Sequence, residues 1–329
     1  MKITQNILFP SLSRNISREI LKSKNSIKET PQLSNRLVKF YSTYTKEGRI
    51  SCSGERPGGN WDDLDTVGRM PHKTALPDHY DMSAKNYDHF DGDDSLAMNN
   101  TVAILLQSHF PNCRSVLDVT CGTGSQVFAL AQKGYNVTGS DINIKMLEVA
   151  RNKALKLFPG LQDRLHHADM RSVRLGQFDA AISMFNAVGH LTREDFERAM
   201  LNIRSNLIDG GIYTFDIYNA SYLQHENNIL KLTTEWRKKV SDNVIRDIQY
   251  SDIDKDGVLT SYTVSYEDNP RGQRTVSRRV QTLQVYTAEE LVEMLNRSGF
   301  NVLEQCGIDR TKFSETGTER IFTTARLKQ

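Results

Sequence analysis

The chain has 329 residues, 38% of them hydrophobic and 25% charged, with a formal net charge of +2. That balance belongs to an ordinary globular protein with room for one large domain or two small ones. No stretch approaches the roughly 18 consecutive apolar residues of a membrane-spanning helix, and the interleaved charges demand no nucleic-acid or other polyanionic partner. Cys52, Cys113, Cys121 and Cys306 show no CxxC spacing, so free thiols in a reducing compartment are expected and no metal site is indicated.

Residues 1–45 are rich in Ser, Lys and Arg. Leu8, Leu12, Ile16 and Ile20 fall at every fourth position among Arg14, Arg18 and Lys22, the pattern of a basic amphipathic helix. Two readings stand: a loosely attached arm on a cytoplasmic protein, or a mitochondrial transit peptide cleaved near Arg36-Leu-Val-Lys-Phe-Tyr-Ser-Thr, which would place the protein in the matrix. Residues 46–76, with Arg56-Pro-Gly-Gly-Asn60, lack apolar periodicity and read as a linker. The folded part is expected over 77–329.

Near its start, Tyr80 and Tyr87 would share one face if helical. Strands and helices then alternate: a strand at Ser115–Val119, a helix at Gly124–Lys133, a strand at Tyr135–Ser140 and a helix at 143–158. Further strands are predicted at Arg164–Ala168 and Phe178–Met184, a helix at Arg193–Leu207 and, after the Asp209-Gly-Gly turn, a strand at Ile212–Ile217. This order predicts a Rossmann-like α/β layout, a mostly parallel sheet covered on both faces. Residues 229–285 alternate apolar and charged positions between turns at Asp256-Gly257 and Asn269-Pro-Arg-Gly272, and read as an antiparallel β insertion. Trp236, Tyr250, Tyr262 and Tyr266 are available there as flat walls or as the insertion's own core. A helix at Thr287–Arg297 and strands at Asn301–Gln305 and Arg320–Ala325 close the domain.

The strongest motif is Val116-Leu-Asp-Val-Thr-Cys-Gly-Thr-Gly124, a strand running into glycines that open a helix. Gly122 and Gly124 permit a tight turn and close backbone approach, and the helix N-terminus offers free N–H groups to an anionic ligand. Asp141 ends the second strand in Val-Thr-Gly-Ser-Asp, where a carboxylate can accept both hydroxyls of a ribose. The nicotinamide fingerprint would need a third glycine where Val127 stands. Asp169 and Met170, at the end of the third strand, are placed to hold an adenine amino group and to flank its ring. His190 follows the fourth strand and is the candidate general base, since imidazole titrates near neutrality. Arg171 is open to two readings, a carboxylate-binding residue or a member of an ion pair.

These runs, with Met184-Phe-Asn-Ala-Val-Gly-His-Leu191, Tyr286-Thr-Ala-Glu-Glu-Leu and Ser-Gly-Phe300, resemble class I S-adenosylmethionine-dependent methyltransferases, over roughly residues 78–329. The similarity is closest to small-molecule N-methyltransferases of the glycine and amino-sugar type. The resemblance implies a seven-stranded sheet, S-adenosylmethionine as cofactor and a small-molecule acceptor, methylated by in-line displacement at an amine. It implies donor contacts from Tyr80, Asp118, Thr120, Gly122, Gly124, Asp141, Ile142, Met146, Asp169, Met170 and Phe185, and acceptor chemistry from Tyr87 and His190. Thr120 stands where the family's Asp-x-Gly-x-Gly-x-Gly has its first glycine. An RNA or protein methyltransferase and a catalytically silent donor-binding regulator are the alternatives.

Overall fold

The structure is a computed structural model that describes residues 71–81, 83–89, 92–232, 234–240 and 242–329. The basic segment 1–45 and the glycine-rich run at 56–60 lie outside them. Among the described residues no helix is long and apolar enough to cross a membrane.

Helix α1 (Gly92–His109) precedes β1 (Ser115–Asp118), and α2 (Ser125–Gln132), β2 (Asn136–Asp141) and α3 (Ile144–Leu157) follow. Then come β3 (Leu165–His167), β4 (Phe178–Ser183), α4 (Arg193–Arg204) and β5 (Leu207–Tyr218). The main sheet is seven-stranded in the order β10-β11-β5-β4-β1-β2-β3, where β10 is Phe300–Cys306 and β11 is Arg320–Leu327. Strands β1 to β5 run parallel, and β11 lies antiparallel to both β5 and β10. Strand order reverses between β1 and β4, the place where open α/β sheets leave a crevice beyond their carboxyl ends.

The strands hold because both faces are covered. Phe196, Phe215, Tyr213, Tyr286 and Phe300 pack one side, and Met98, Leu105, Leu106, Leu117 and Leu147 are fully buried as well. Helix starts follow local chemistry: the Asn143 side chain accepts from Met146 N, Thr192 from Asp195 N, and Thr287 closes a capping box with Glu290.

The insertion forms a separate four-stranded antiparallel sheet of β6 (Thr234–Val240), β7 (Asn243–Ile253), β8 (Val258–Asp268) and β9 (Arg274–Gln284), in that order. Gly257 and Gly272 turn with φ 75° at the expected places. Helix α5 (Ala220–Gln224) leads into it and α6 (Ala288–Arg297) out of it.

Three expectations differ. Helix α1 has no counterpart in the sequence reading, because exposed Leu96 and Ile104 put apolar side chains on more than one side and blur the period. Strand β5 begins at Leu207 and runs through the glycine pair, its extra residues absorbed by a register shift opposite Phe178 and Ala180. Residues 71–76, read as linker, are tied to the fold: His72 Nε2 lies 3.0 Å from Leu191 O and Nδ1 2.9 Å from Thr282 Oγ1, and Ala75 N donates to His190 O at 2.9 Å.

Candidate active site

A cavity of about 990 Å³, its mouth included, opens beyond the carboxyl ends of β1, β2 and β4 and the loop after β3. The loop after β1 contributes Thr120, Gly122 and Thr123, and the end of β2 contributes Asp141, Ile142 and Asn143. Asp169 to Arg171 and Met184, Phe185 and His190 line the other sides. Residues 74–77, His79, Tyr80 and Tyr87 close it from the N-terminal strap.

Asp141 organises the adjoining loops. Its Oδ2 accepts from Gly122 N at 2.7 Å and its Oδ1 from Asn143 N at 2.8 Å, which leaves acceptor positions on both oxygens. Burial pushes this carboxyl above its ordinary value, and those N–H groups oppose the shift. Gly122 adopts φ 51°, as the tight bend requires. Helix α2 starts from Gly124, which is left-handed and gives no side-chain cap. Gln126 Nε2 in the lining is buried without a partner.

The strap is pinned to these loops by polar contacts. Asn143 Nδ2 donates to Pro77 O at 2.8 Å and to Asp81 Oδ1 at 3.0 Å, and Lys145 pairs with Asp81 at 2.8 Å. Thr123 Oγ1 donates to Asp88 at 2.5 Å, and Lys153 pairs with Asp88 at 2.8 Å. The Tyr80 hydroxyl and His190 Nε2 lie 2.6 Å apart in a hydrogen bond, with the His79 ring 5.1 Å from that of His190. Tyr80 and Tyr87 do share a face, but not a helix: Tyr80 is in a turn, Tyr87 in the 3-10 segment Ala84–His89, and their rings meet edge to face at 5.5 Å.

Eleven expected site residues, Tyr80, Tyr87, Thr120, Gly122, Asp141, Ile142, Met146, Asp169, Met170, Phe185 and His190, line this one cavity. Asp118 and Gly124 do not. Asp118 is fully buried behind the loop, accepting from Thr120 N at 3.1 Å, and burial drives its carboxyl up to about 8. Gly124 is covered by the Phe128 ring. Asp169 is closed onto Arg171, whose N, Nε and Nη2 all donate to it, so its carboxylate is engaged where a ligand amino group was expected. Arg171 Nη1 also pairs with Asp195 at 2.6 Å, so its guanidinium is held between two carboxylates. The insertion's Tyr262 and Tyr266 are buried in their own sheet, and Tyr250 is likewise absent from the lining. The Trp236 side chain lies outside the described ones.

His190 departs from expectation most. Burial lowers its imidazole to about 3, helped by His79 and His72, so near neutrality it is an uncharged hydrogen-bonding group with little basicity. Its unfolded value is 6.5, so the stability it contributes is full above pH 6.5 and is lost as pH falls towards 3, by about 1.4 kcal/mol per pH unit. Asp118 carries the opposite slope: its folded value of about 8 exceeds the unfolded 3.8, so its contribution is full below 3.8 and is lost as pH rises to 8. The two oppose each other in the wild type. His190→Gln is therefore expected to gain on the wild type by about 1.4 kcal/mol per pH unit as urea unfolding is followed from pH 6.5 to 5; parallel stability curves would count against a neutral buried His190.

Sequence reasoning missed Asn143, Gln126, His79 and residues 74–77. Asn143 carried a signal, since an Asn just before a predicted helix is an N-cap pattern. The others gain their place only through tertiary packing.

Residues 116–211 match the family model of a methyltransferase domain. The sugar N-methyltransferase KedS8 of Streptoalloteichus superposes with a TM-score of 0.62 at 20% identity, covering 84% of this chain and all of that one (100%). This is a class I methyltransferase fold. The chain is 36% identical over 124 residues to the dTDP-3-amino-3,4,6-trideoxy-alpha-D-glucopyranose N,N-dimethyltransferase of Streptomyces venezuelae, covering 37% of this chain and 49% of that one. It is 30% identical over 134 residues to the glycine N-methyltransferase of Oryctolagus cuniculus, covering 36% and 45%. The chain spans about half the length of these curated relatives.

Proposed function

We propose that this protein transfers a methyl group from S-adenosylmethionine to the amine of a small molecule that carries no carboxylate, an amino sugar rather than an amino acid. The donor half rests on Asp141: a buried carboxylate at a strand end, with acceptor positions on both oxygens, suits a ribose diol. The uncapped start of α2 and the unpartnered Gln126 amide in the same lining suit an anionic group. Ile142, Met146 and Met170 offer apolar surface for an adenine ring.

The observation that carries the acceptor class is Arg171. It is the one Lys or Arg among the described residues lining the cavity, and Asp169 and Asp195 take up its guanidinium. An amino-acid carboxylate would enter without a free cation to meet it, at a large desolvation penalty.

S-adenosylmethionine, when bound, supplies a methyl carbon on a sulfonium leaving group for displacement by an amine lone pair. The chain's part is orientation and exclusion of water, worth roughly 7–11 kcal/mol in well-aligned cases. His72, His79 and His190 are all held below their ordinary values, chiefly by burial, so the surroundings disfavour positive charge. An ammonium entering them is desolvated in the same way and sheds its proton more readily. Tyr80 and His190, joined by their hydrogen bond, present fixed polar atoms to the acceptor side without adding charge near the sulfonium.

The test is incubation of the protein with methyl-labelled donor and a panel of amino sugars, simple amines and amino acids. Label is expected on amino sugars or uncharged amines, with amino acids at least about tenfold poorer. Preference for amino acids would defeat the argument from Arg171. Donor uptake with no methylated product would favour a silent regulator, and labelling of RNA with steep salt dependence a nucleic-acid enzyme.

A further inference from the structure

Phe185 and Asn186 are consecutive residues in the left-handed region, with φ 62° and 58°. For a bulky side chain such as Phe that conformation is strained and persists only where the surroundings over-determine it. The segment they open, Phe185–His190, carries both Phe185 and His190 into the cavity.

What lies beneath it is a carboxylate. Asp216, fully buried in β5, accepts from Asn186 N at 3.1 Å through Oδ2, and the Phe185 N–H is also directed at it. Successive N–H groups turned to one side form a small anion cradle. The same Oδ2 accepts from Arg320 Nε at 3.0 Å and from Arg320 Nη2. Arg320 opens β11 and lies over the Tyr218 ring, 5.2 Å from its centroid. Asn186 Oδ1 accepts from Tyr218 N at 3.0 Å, and Gly189 N donates to Asn186 O at 3.0 Å. A Cβ at Gly189 would lie 2.9 Å from Asn186 Nδ2 and 3.1 Å from Ile217 Cδ1, so the segment sits directly on the end of β5. Neither Asp216 nor Arg320 lines the cavity.

We infer that Asp216 and Arg320 are a positioning pair: the carboxylate holds the left-handed Phe185–Asn186 bend, and through it sets His190 against Tyr80 at the acceptor side of the cavity. What the arrangement serves rests on the proposed methyl transfer, but the geometry itself does not. A buried ion pair kept only for stability is commonly replaceable by apolar residues of similar size. Such a replacement here removes the acceptor on which the bend rests.

The experiment follows the His190 ring by NMR across pH 8 to 5 in the full chain, with its resonance assigned by comparison with His190→Gln. The groups facing His190 are Tyr80, His79 and His72, with Arg279 and Asp78 acting on His79, and none of them is altered. In the wild type the ring is expected not to titrate in this range. In Asp216→Leu/Arg320→Met the bend is released and the ring is expected to titrate within this range, its midpoint rising from about 3 to above 5, towards the 6.5 of a free imidazole. In Asp216→Asn/Arg320→Gln, which keeps an acceptor oxygen under the bend, it is expected to behave as in the wild type. Calorimetric affinity for S-adenosylhomocysteine should fall by no more than about tenfold in any variant that folds, because Asp141 and Gly122 are untouched and Phe185 alone of the expected donor contacts moves with the bend. If the apolar pair does not fold, Asp216→Ala/Arg320→Gln, which removes the acceptor under the bend, is read instead: a midpoint above about 5 supports the assignment and a ring that stays untitrated overturns it. An unmoved His190 in the apolar pair, a released His190 in the polar pair, or loss of affinity in step with release would each overturn it. If the wild type does not take up S-adenosylhomocysteine at all, the methyltransferase reading fails while the His190 titrations still decide the positioning pair.

Discussion

Asp141→Ala is expected to weaken S-adenosylmethionine binding by at least about a hundredfold. The carboxylate accepts from Gly122 N and Asn143 N and, in the proposed complex, from a ribose diol. Hydrogen bonds to a charged group are worth about 1.5–3 kcal/mol each, so losing two of them lies between about 3 and 6 kcal/mol, or 10² to 10⁴ in affinity. Asp141→Asn keeps one acceptor oxygen and should fall between the two. Isothermal calorimetry reads both, and a dissociation constant for the alanine variant within fivefold of the wild type would contradict the placement of the ribose.

Gly124→Ala is expected to cost more stability than Gly122→Ala in the same loop. At φ 93° an added Cβ would stand 2.5 Å from Phe128 Cε2 and 2.9 Å from Cζ. That ring cannot easily yield, since it stacks on Phe158 at 5.8 Å and 5° with Lys153 Nζ 5.5 Å from its centroid. Backbone strain of about 1 kcal/mol and overpacking of about 1–3 kcal/mol together predict a loss of roughly 2–4 kcal/mol in chemical unfolding. Gly122→Ala is the control: its Cβ would meet only Met146 Cε at an ordinary 3.4 Å, so backbone strain alone, about 1 kcal/mol, is expected. Equal losses at the two sites would show that the Phe128 contact is unimportant.

The sheet was legible in the residues because its signals are local. Val116 to Val119 is a short, mostly apolar run followed by Gly122 and Gly124, the starts of α3, α4 and α6 carry Asn143, Thr192 and Thr287 as caps, and the insertion announces its turns with Asp256-Gly257 and Asn269 to Gly272. The cavity follows from the sheet, since strand ends of a parallel sheet converge. What sequence does not encode locally is pairing across distance. Arg171 finds Asp195 from another element, Arg320 reaches Asp216 from the neighbouring strand, and His190 loses its basicity through burial, with His79 and His72 beside it. The segment 71–76 has neither periodicity nor a motif, and its hydrogen bonds to His190, Leu191, Thr192, Asp195 and Thr282 bring it into the site.

The strap over residues 74–88 is fastened by hydrogen bonds and ion pairs beside the packing of Ala84 and of the Tyr80 and Tyr87 rings, while its Leu76 stays 70% exposed. Two of its fastenings are exposed ion pairs, so detaching it responds to ionic strength. In the proposed methyl transfer, exchange of a spent nucleoside for a fresh one would proceed by unlatching at the surface, with the strands below remaining protected against amide exchange.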